Sequence, residues 1–290
     1  MTSRIGISKG DNMDDFSKAL LDIADKTEPN KAPEDYEKDG LLYCGKCNTP
    51  KQVAVPLNGQ ITKPYCMCKC ETEAYNAEQA RKREIFRKEE IERNRASGFL
   101  DLDMLNCRFE LDDRKNPKIS DISQRYVEHF LTMRKKGKGL IYLGNSGTGK
   151  SFMAACIANA LIDKGFKCLM TNFPRIINEL TGIFEGKQAY IDSLNRYDLL
   201  IIDDLAVERD SEYTAEIIQN VIDSRYRSGK PLIITTNLTK SEYENPKNIK
   251  RERLFSRLYE MCFPLAVAGR DRRREKAAVK DGEMKDLLGI

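Results

Sequence analysis

The sequence predicts an α/β protein: a parallel five-stranded sheet between helices, preceded by a small N-terminal domain and a charged helical linker. Three observations predict it. From about residue 121, short apolar runs alternate with segments of helical periodicity, as in a parallel sheet covered on both faces. Five of the nine cysteines crowd into residues 43–70. Residues 71–95 are dense in Glu, Arg and Lys and hold few helix breakers.

A chain of 290 residues suggests about two domains of ~150 residues each. The expected division is 1–98, carrying the cysteines at about 40–72 and the charged helix, and 99–290. The formal net charge of +4 is too small to imply a nucleic-acid partner by itself. No run approaches the ~18 apolar residues of a membrane span. Residues 1–11 are polar and lack a signal-peptide core. The expected location is cytoplasmic, with no membrane partner. In that reducing setting the cysteines read as thiols or metal ligands rather than disulfides.

In chain order, residues 13–26 read as an amphipathic helix, with Phe16, Leu20 and Ile23 at helical spacing and Asp11 or Asn12 as cap. A polar linker, 27–39, follows. The charged helix over 71–95 ends at Ser97-Gly98. Strands are expected at 139–143, 167–171, 199–202, 232–236 and 262–267, with helices starting near Lys150, Pro174 and Tyr213. Leu199-Leu200-Ile201-Ile202 shows no alternation, as a strand buried on both faces should. No internal repeats are visible.

Cys44-x-x-Cys47 and Cys66-x-Cys68-x-Cys70 have the spacing of two zinc-ribbon halves, with a Gly59-containing hairpin between them. Tetrahedral zinc takes four thiolate or imidazole ligands. Cys44 and Cys47 form one knuckle, with Gly45 easing its turn. Two of Cys66, Cys68 and Cys70 complete the site and one is spare. Four protein ligands leave no open position, so this Zn2+ is structural. Cys107, Cys156, Cys168 and Cys262 lie singly in apolar contexts and read as core.

Gly144-Asn145-Ser146-Gly147-Thr148-Gly149-Lys150-Ser151 fits the phosphate-loop pattern G-x-x-x-x-G-K-[ST] at every fixed position. Glycines let backbone N–H groups close round phosphate oxygens. The loop opens a helix whose positive end favours an anion. Lys150 adds charge at the outer phosphates, and the Ser151 hydroxyl is a Mg2+ ligand. The apolar run 199–202 then delivers Asp203 and Asp204 to the carboxyl edge of the sheet, where ligands bind in such folds. Asp203 would anchor the Mg2+ of bound ATP, and Asp204 would act as general base.

With these motifs the chain resembles the AAA+ ATPases, and within them the DnaC/DnaI helicase-loader family with its relative IstB. Ile234-Thr235-Thr236-Asn237 and the C-terminal arginines carry the rest of the resemblance. It implies that Asn237 senses the γ-phosphate. Arg257, or Arg253 one turn earlier, reaches a neighbouring subunit's nucleotide. Arg273 completes the site in cis, in a run blurred by Arg270, Arg272 and Arg274. Two departures are visible. Many AAA+ enzymes have Asp-Glu where this chain has Asp203-Asp204. The 23 residues from Ala268 to Ile290 are too few for a full helical lid.

The same resemblance implies the partners: a replicative hexameric DNA helicase gripped by the zinc-bearing region, single-stranded DNA, and further copies of the chain in the ATP state. Two other functions compete with helicase loading. One is an IstB-like ATPase assisting a transposase on duplex DNA. The other is a zinc-dependent binding adaptor with weak ATPase activity. For nucleic acid, the basic runs 134–138 and 270–276 could track a phosphate backbone. Residues 176–190 are the expected single-strand contact region.

Overall fold

The computed structural model describes residues 31–57, 59–99, 101–205, 212–246 and 249–273, and positions 277, 284, 285, 287 and 288. The helix expected over 13–26 and the end of the basic run, 274–276, lie outside these residues. The chain forms two compact units, 1–86 and 87–290.

The first unit starts with strands β1 (Tyr36–Lys38) and β2 (Leu41–Tyr43), paired antiparallel. Their turn is Asp39-Gly40, and both residues have positive φ, 54° and 73°, as a two-residue hairpin loop demands. Strands β3 (Val55–Leu57) and β4 (Gln60–Thr62) form the second hairpin, with Gly59 at φ 79°, where a hairpin was expected. Helix α1 (Lys69–Gly98) is longer than the expected 71–95. Gly98 is its one buried residue, and a Cβ there would stand 2.7 Å from the carbonyl of Cys168. Among the described residues, only Leu42, Cys44 and Cys68 are buried apolar side chains in this first unit.

The second unit contains the sheet: β5 (Gly139–Leu143), β6 (Cys168–Asn172), β7 (Leu199–Asp203), β8 (Leu232–Thr236) and β9 (Cys262–Ala266). All pairings are parallel, in the order β6-β7-β8-β5-β9. Strands β6 and β9 sit one residue away from the expected bounds at one or both ends. The connecting helices are α2 (Pro117–Glu128), α3 (Phe130–Lys135), α4 (Lys150–Asp163), α5 (Phe173–Gly182), α6 (Lys187–Ser193), α7 (Glu212–Arg227), α8 (Lys240–Glu244) and α9 (Ile249–Met261). Helix α5 begins where expected because Asn172 caps it, accepting the N–H of Arg175 at 3.0 Å, with a proline in its first turn.

Successive strand residues serve two separate cores. Leu140 and Tyr142, Leu199 and Ile201, and Ile233 pack on one side with α4. Ile141 and Leu143, Leu200 and Ile202, and Leu232 and Ile234 pack on the other with α5, α7 and α9. Every side chain of β5 is buried, so the strand shows no polar alternation in sequence. Helix α4 is apolar on nearly all sides for the same reason.

One buried charge is invisible in the sequence pattern. Arg225, on α7, is 1% exposed. Its guanidinium donates to the carbonyls of Leu194, Tyr197, Asp198 and Pro231, the last at 2.7 Å. Burial pulls its pKa down to about 10, which leaves it charged at neutral pH. It closes the loop ends before β7 and β8 with five-donor geometry that lysine lacks.

Candidate nucleotide site

Strand β5 lies between β8 and β9, whereas its successor β6 lies beyond β7. The chain therefore leaves β5 in one direction while β9 flanks it in the other. That topological switch opens a crevice at the carboxyl end of β5, the usual ligand position in open α/β sheets. The loop 144–149 occupies it. Gly144, Gly147 and Gly149 all have positive φ, at 137°, 76° and 96°. A Cβ at Gly144 would lie 2.3 Å from the Val267 carbonyl, and one at Gly147 1.8 Å from Asp271 Oδ1. Both positions therefore require glycine on two counts, conformation and space.

Lys150, in the first turn of α4, is 6% exposed. Its ammonium donates to the carbonyls of Gly144 and Asn145, each at 2.7 Å, and to Asn237 Oδ1 at 3.0 Å. Burial lowers its pKa; Asp204 and Asp203 oppose the shift and Arg273 adds to it. The tips of β7 and β8 are tied together beside it. The Thr235 hydroxyl donates to Asp203 Oδ1 at 2.6 Å and accepts the Asp204 N–H at 2.9 Å. Asn237 Nδ2 donates to Asp204 Oδ1 at 3.2 Å. Asp204 has φ 53°, an uncommon value for a non-glycine residue. Ser151 follows Lys150 and is half-buried. Asn237 thus bridges the lysine of the loop to the second carboxylate. Thr235, which holds the Asp203 carboxylate and the Asp204 backbone, stands out in sequence only as part of a four-residue run.

The residues suit a magnesium nucleotide. A loop of three positive-φ glycines at a helix start, a buried cation and a hydroxyl lie beside two carboxylates. The C-terminal arginines approach the same loop. The Arg272 N–H donates to the Gly147 carbonyl at 2.9 Å. Arg273 is exposed, and its N–H donates to Asp271 Oδ1 at 3.0 Å. Arg257 lies on α9, its Nε 3.5 Å from Asp223 Oδ1 and its guanidinium 4.5 Å from the centre of the Tyr226 ring. A pairing of Arg257 with Glu252 or Glu260, the alternative its helix spacing offers, is not what the structure shows. Helix α7 runs alongside and supplies the nearer carboxylate, while Glu260 accepts from the Tyr226 hydroxyl. Arg253 is exposed. In the basic run 134–138 all four cations are exposed; Arg134 pairs with Asp198 at 2.7 Å and the Lys138 ammonium donates to the Glu260 carbonyl.

In the first unit, the thiols of Cys44, Cys47, Cys68 and Cys70 all lie within 4.8 Å of one another. Cys70 Sγ is 3.6 Å from that of Cys44 and 3.3 Å from that of Cys68. Four sulfurs around a tetrahedral zinc stand about 3.8 Å apart, given a Zn–S bond of ~2.3 Å, so the donor set fits that ion. Cys66 stands apart, its thiol 3.6 Å from the Pro50 carbonyl. A hydrogen bond with Thr49 helps pull the Cys47 thiol down to about 5, towards the thiolate a metal needs. Gly45 has a steric role: a Cβ there would meet the Glu34 carbonyl at 2.0 Å.

The frame round these thiols went unseen in sequence. Lys51, 3% exposed, pairs with Asp35 at 2.9 Å and Glu71 at 3.1 Å. Asp35 accepts the Gly45 N–H, and Glu71 accepts the N–H of Cys68 and the Tyr65 hydroxyl. A buried lysine therefore joins the two cysteine pairs through their carboxylate neighbours.

Sheet order, glycine loop and paired carboxylates together define a P-loop nucleotide-binding protein of the AAA+ type. Residues 77–277 match the family described as IstB-like ATP binding protein, and the chain belongs to that family of ATP-binding proteins. The replicative helicase loader DnaC of Buchnera aphidicola subsp. Schizaphis graminum is 29% identical over 170 residues, 56% of this chain and 66% of that protein. The replicative helicase loader DnaI of Bacillus subtilis is 24% identical over 191 residues, 61% of each. The crystal structure of the DnaC helicase loader superposes with a TM-score of 0.52 at 25% identity, covering 58% of this chain and 100% of that one. The chain thus spans less than two thirds of the length of these curated relatives. No helix among the described residues is long and apolar enough to cross a membrane.

Proposed function

We propose that this chain is an ATP-dependent loader of a replicative DNA helicase onto single-stranded DNA. The observation that carries the ATP part is the network joining Lys150, Asn237, Asp204, Thr235 and Asp203 at the ends of three strands. It links the phosphate loop to the Asp204 carboxylate through the Asn237 amide, and to Asp203 through the Thr235 hydroxyl that holds the Asp204 N–H. In this reading the backbone of 144–149 cradles the phosphates and Lys150 neutralises the outer ones. Ser151 and Asp203 would hold Mg2+, which would supply charge neutralisation on the transferring phosphate. Asp204 orients and deprotonates the attacking water, Asn237 reports the γ-phosphate to both neighbours, and Arg273 adds charge in cis. Arg257 serves a neighbouring copy as a finger, in exchange for its contacts with Asp223 and Tyr226.

The helicase part rests on the names of the relatives and on the cysteine cluster. Residues 1–98 would form the helicase-binding region, with Cys44, Cys47, Cys68 and Cys70 holding Zn2+, and 99–290 the ATPase. Within the expected single-strand contact region 176–190, Phe184 is 97% exposed between Gly182 and Gly186, a position from which an aromatic ring can stack on a base. A second reading, an IstB-like ATPase that assists a transposase on duplex DNA, rests on the match of residues 77–277 to the IstB-like ATP binding family. Co-elution with the cognate replicative helicase, with and without ATP, separates the two. A discrete complex lost in Cys44→Ser/Cys47→Ser supports loading. Failure to bind helicase, with ATP-dependent binding of duplex DNA instead, supports the transposition helper. Lys150→Ala should abolish nucleotide binding with the fold retained; normal affinity would sink the loop assignment.

A further inference from the structure

The sequence offers Arg272 only as a neighbour that obscures Arg273, yet the two sit in different surroundings. Arg273 is exposed, whereas the Arg272 side chain is 18% exposed and held at both ends. Its backbone N–H donates to the Gly147 carbonyl at 2.9 Å. Its Nη1 lies 3.1 Å from Asp113 Oδ1 and 4.0 Å from Asp112 Oδ1. Between these anchors the guanidinium lies against Gly149: a Cβ there would be 3.1 Å from its central carbon. Gly149, at φ 96°, is the residue from which α4 and Lys150 begin.

We propose that Asp112 and Asp113 are positioning residues for the nucleotide loop, acting on it through Arg272. This rests on the reading of 144–151 as the ATP site. Asp112 is the sharper half of the pair. Its side chain is 1% exposed, and Oδ2 accepts from the Ser120 hydroxyl. Oδ1 is buried without a hydrogen-bond partner. A buried carboxylate oxygen is costly unless a charge answers it, and the cation facing it is Arg272. Asp113, more exposed, makes the closer contact and also accepts the Lys115 N–H. A second tie holds the same strap, since Asn116 Nδ2 donates to the Ala268 carbonyl at 2.8 Å.

The chain of contact is therefore short. The acid pair fixes the guanidinium, the guanidinium covers Gly149, and the backbone of the same arginine holds Gly147. Two of the three glycines whose backbone must converge on phosphate are pinned from outside by residues that need touch no nucleotide. Preorganisation of this kind raises affinity by removing loop conformations that cannot bind.

A double-mutant cycle on the full chain tests it, with Asp113→Asn, Arg272→Gln and the double variant. The readouts are equilibrium binding of a fluorescent ATP analogue, thermal melting, and amide exchange of 144–149 without nucleotide. Each single change should weaken binding about tenfold and speed exchange in the loop. The double should be no weaker than the worse single, because both remove one connection. Melting should hardly move in Asp113→Asn, whose carboxylate is exposed, which separates the loop effect from a general loss of structure; Arg272→Gln, which leaves the Asp112 carboxylate unanswered, should lower it. Additive losses would overturn the proposal. So would an unchanged Asp113→Asn beside a weakened Arg272→Gln, which would make Arg272 a direct nucleotide ligand. If the unaltered protein bound no ATP, the underlying reading would fail. Loop exchange that stayed at the unaltered level in Asp113→Asn would still refute the positioning.

Discussion

The two units of this chain are held together by opposite means. Residues 87–290 bury both faces of a five-stranded sheet in two continuous apolar cores. Residues 31–86 have three buried apolar side chains among those described, and two of these are cysteines of the thiol cluster. What replaces a core there is a buried Lys51 with two carboxylates and four converging sulfurs. A unit this small cannot bury enough apolar surface to offset its chain entropy, so it needs a staple. The difference teaches where each unit is vulnerable: one at a few atoms, the other nowhere in particular except at buried polar joints.

The largest expected effect tests the staple. In the metal-bound reading, Cys44→Ser removes one of four ligands and with it most of ~10 kcal/mol of binding energy. Amide protection across 31–68 should vanish while the melting of 87–290 stays put. Retention of that protection would mean that the Lys51 network alone suffices, and the contrast would collapse. Next, Arg225→Ala strips donors from four carbonyls inside the larger unit and should cost about 3 kcal/mol, read by denaturant titration. Arg225→Lys should recover only part, since an ammonium cannot reach four acceptors in that plane. Smaller still, Lys150→Ala should shift the melting midpoint by no more than a few degrees while eliminating nucleotide binding, because its partners are at the solvent edge of the sheet. A large loss of stability there would make it a structural joint instead. The smallest effect belongs to Cys66→Ser. Metal content, measured by mass spectrometry of the intact protein, should be unchanged, and a fall in it would return Cys66 to the ligand set.

Much of this was legible in sequence where the physics is local. A strand with both faces buried must be apolar throughout, so 139–143 and 199–202 announce themselves, as does the phosphate loop, whose residue types are dictated by close approach to an anion. Residues whose roles depend on distant chain segments were not legible. Arg225 reads as the surface of a charged helix end; only the loops before β7 and β8, folding back over it, make it a buried joint. Lys51 and Asp35 look like ordinary solvated charges. Among Cys66, Cys68 and Cys70, spacing allows any two to complete the set, and the helix start at Lys69 decides, because it turns Cys68 and Cys70 inward and leaves Cys66 behind. Helices α3, α6 and α8 are each a turn or two long, too brief for a period to show, and the longer α2, with Ile119, Tyr126 and Val127 on its buried face, was missed as well.

Helix α1 carries a consequence of its own. It runs 30 residues with almost no buried face, so packing does little to hold it. Isolated helices fail mainly at nucleation, where the first turn must be fixed for little return. Here that turn arrives ready made: Cys68 and Cys70 are gathered in the thiol cluster, and Glu71 accepts the Cys68 N–H just as a capping carboxylate would. Once the cluster has formed, elongation through Glu, Lys, Arg and Ala takes nanoseconds per residue. The thiol cluster thus also fixes the first turn from which a helix with little packing of its own extends.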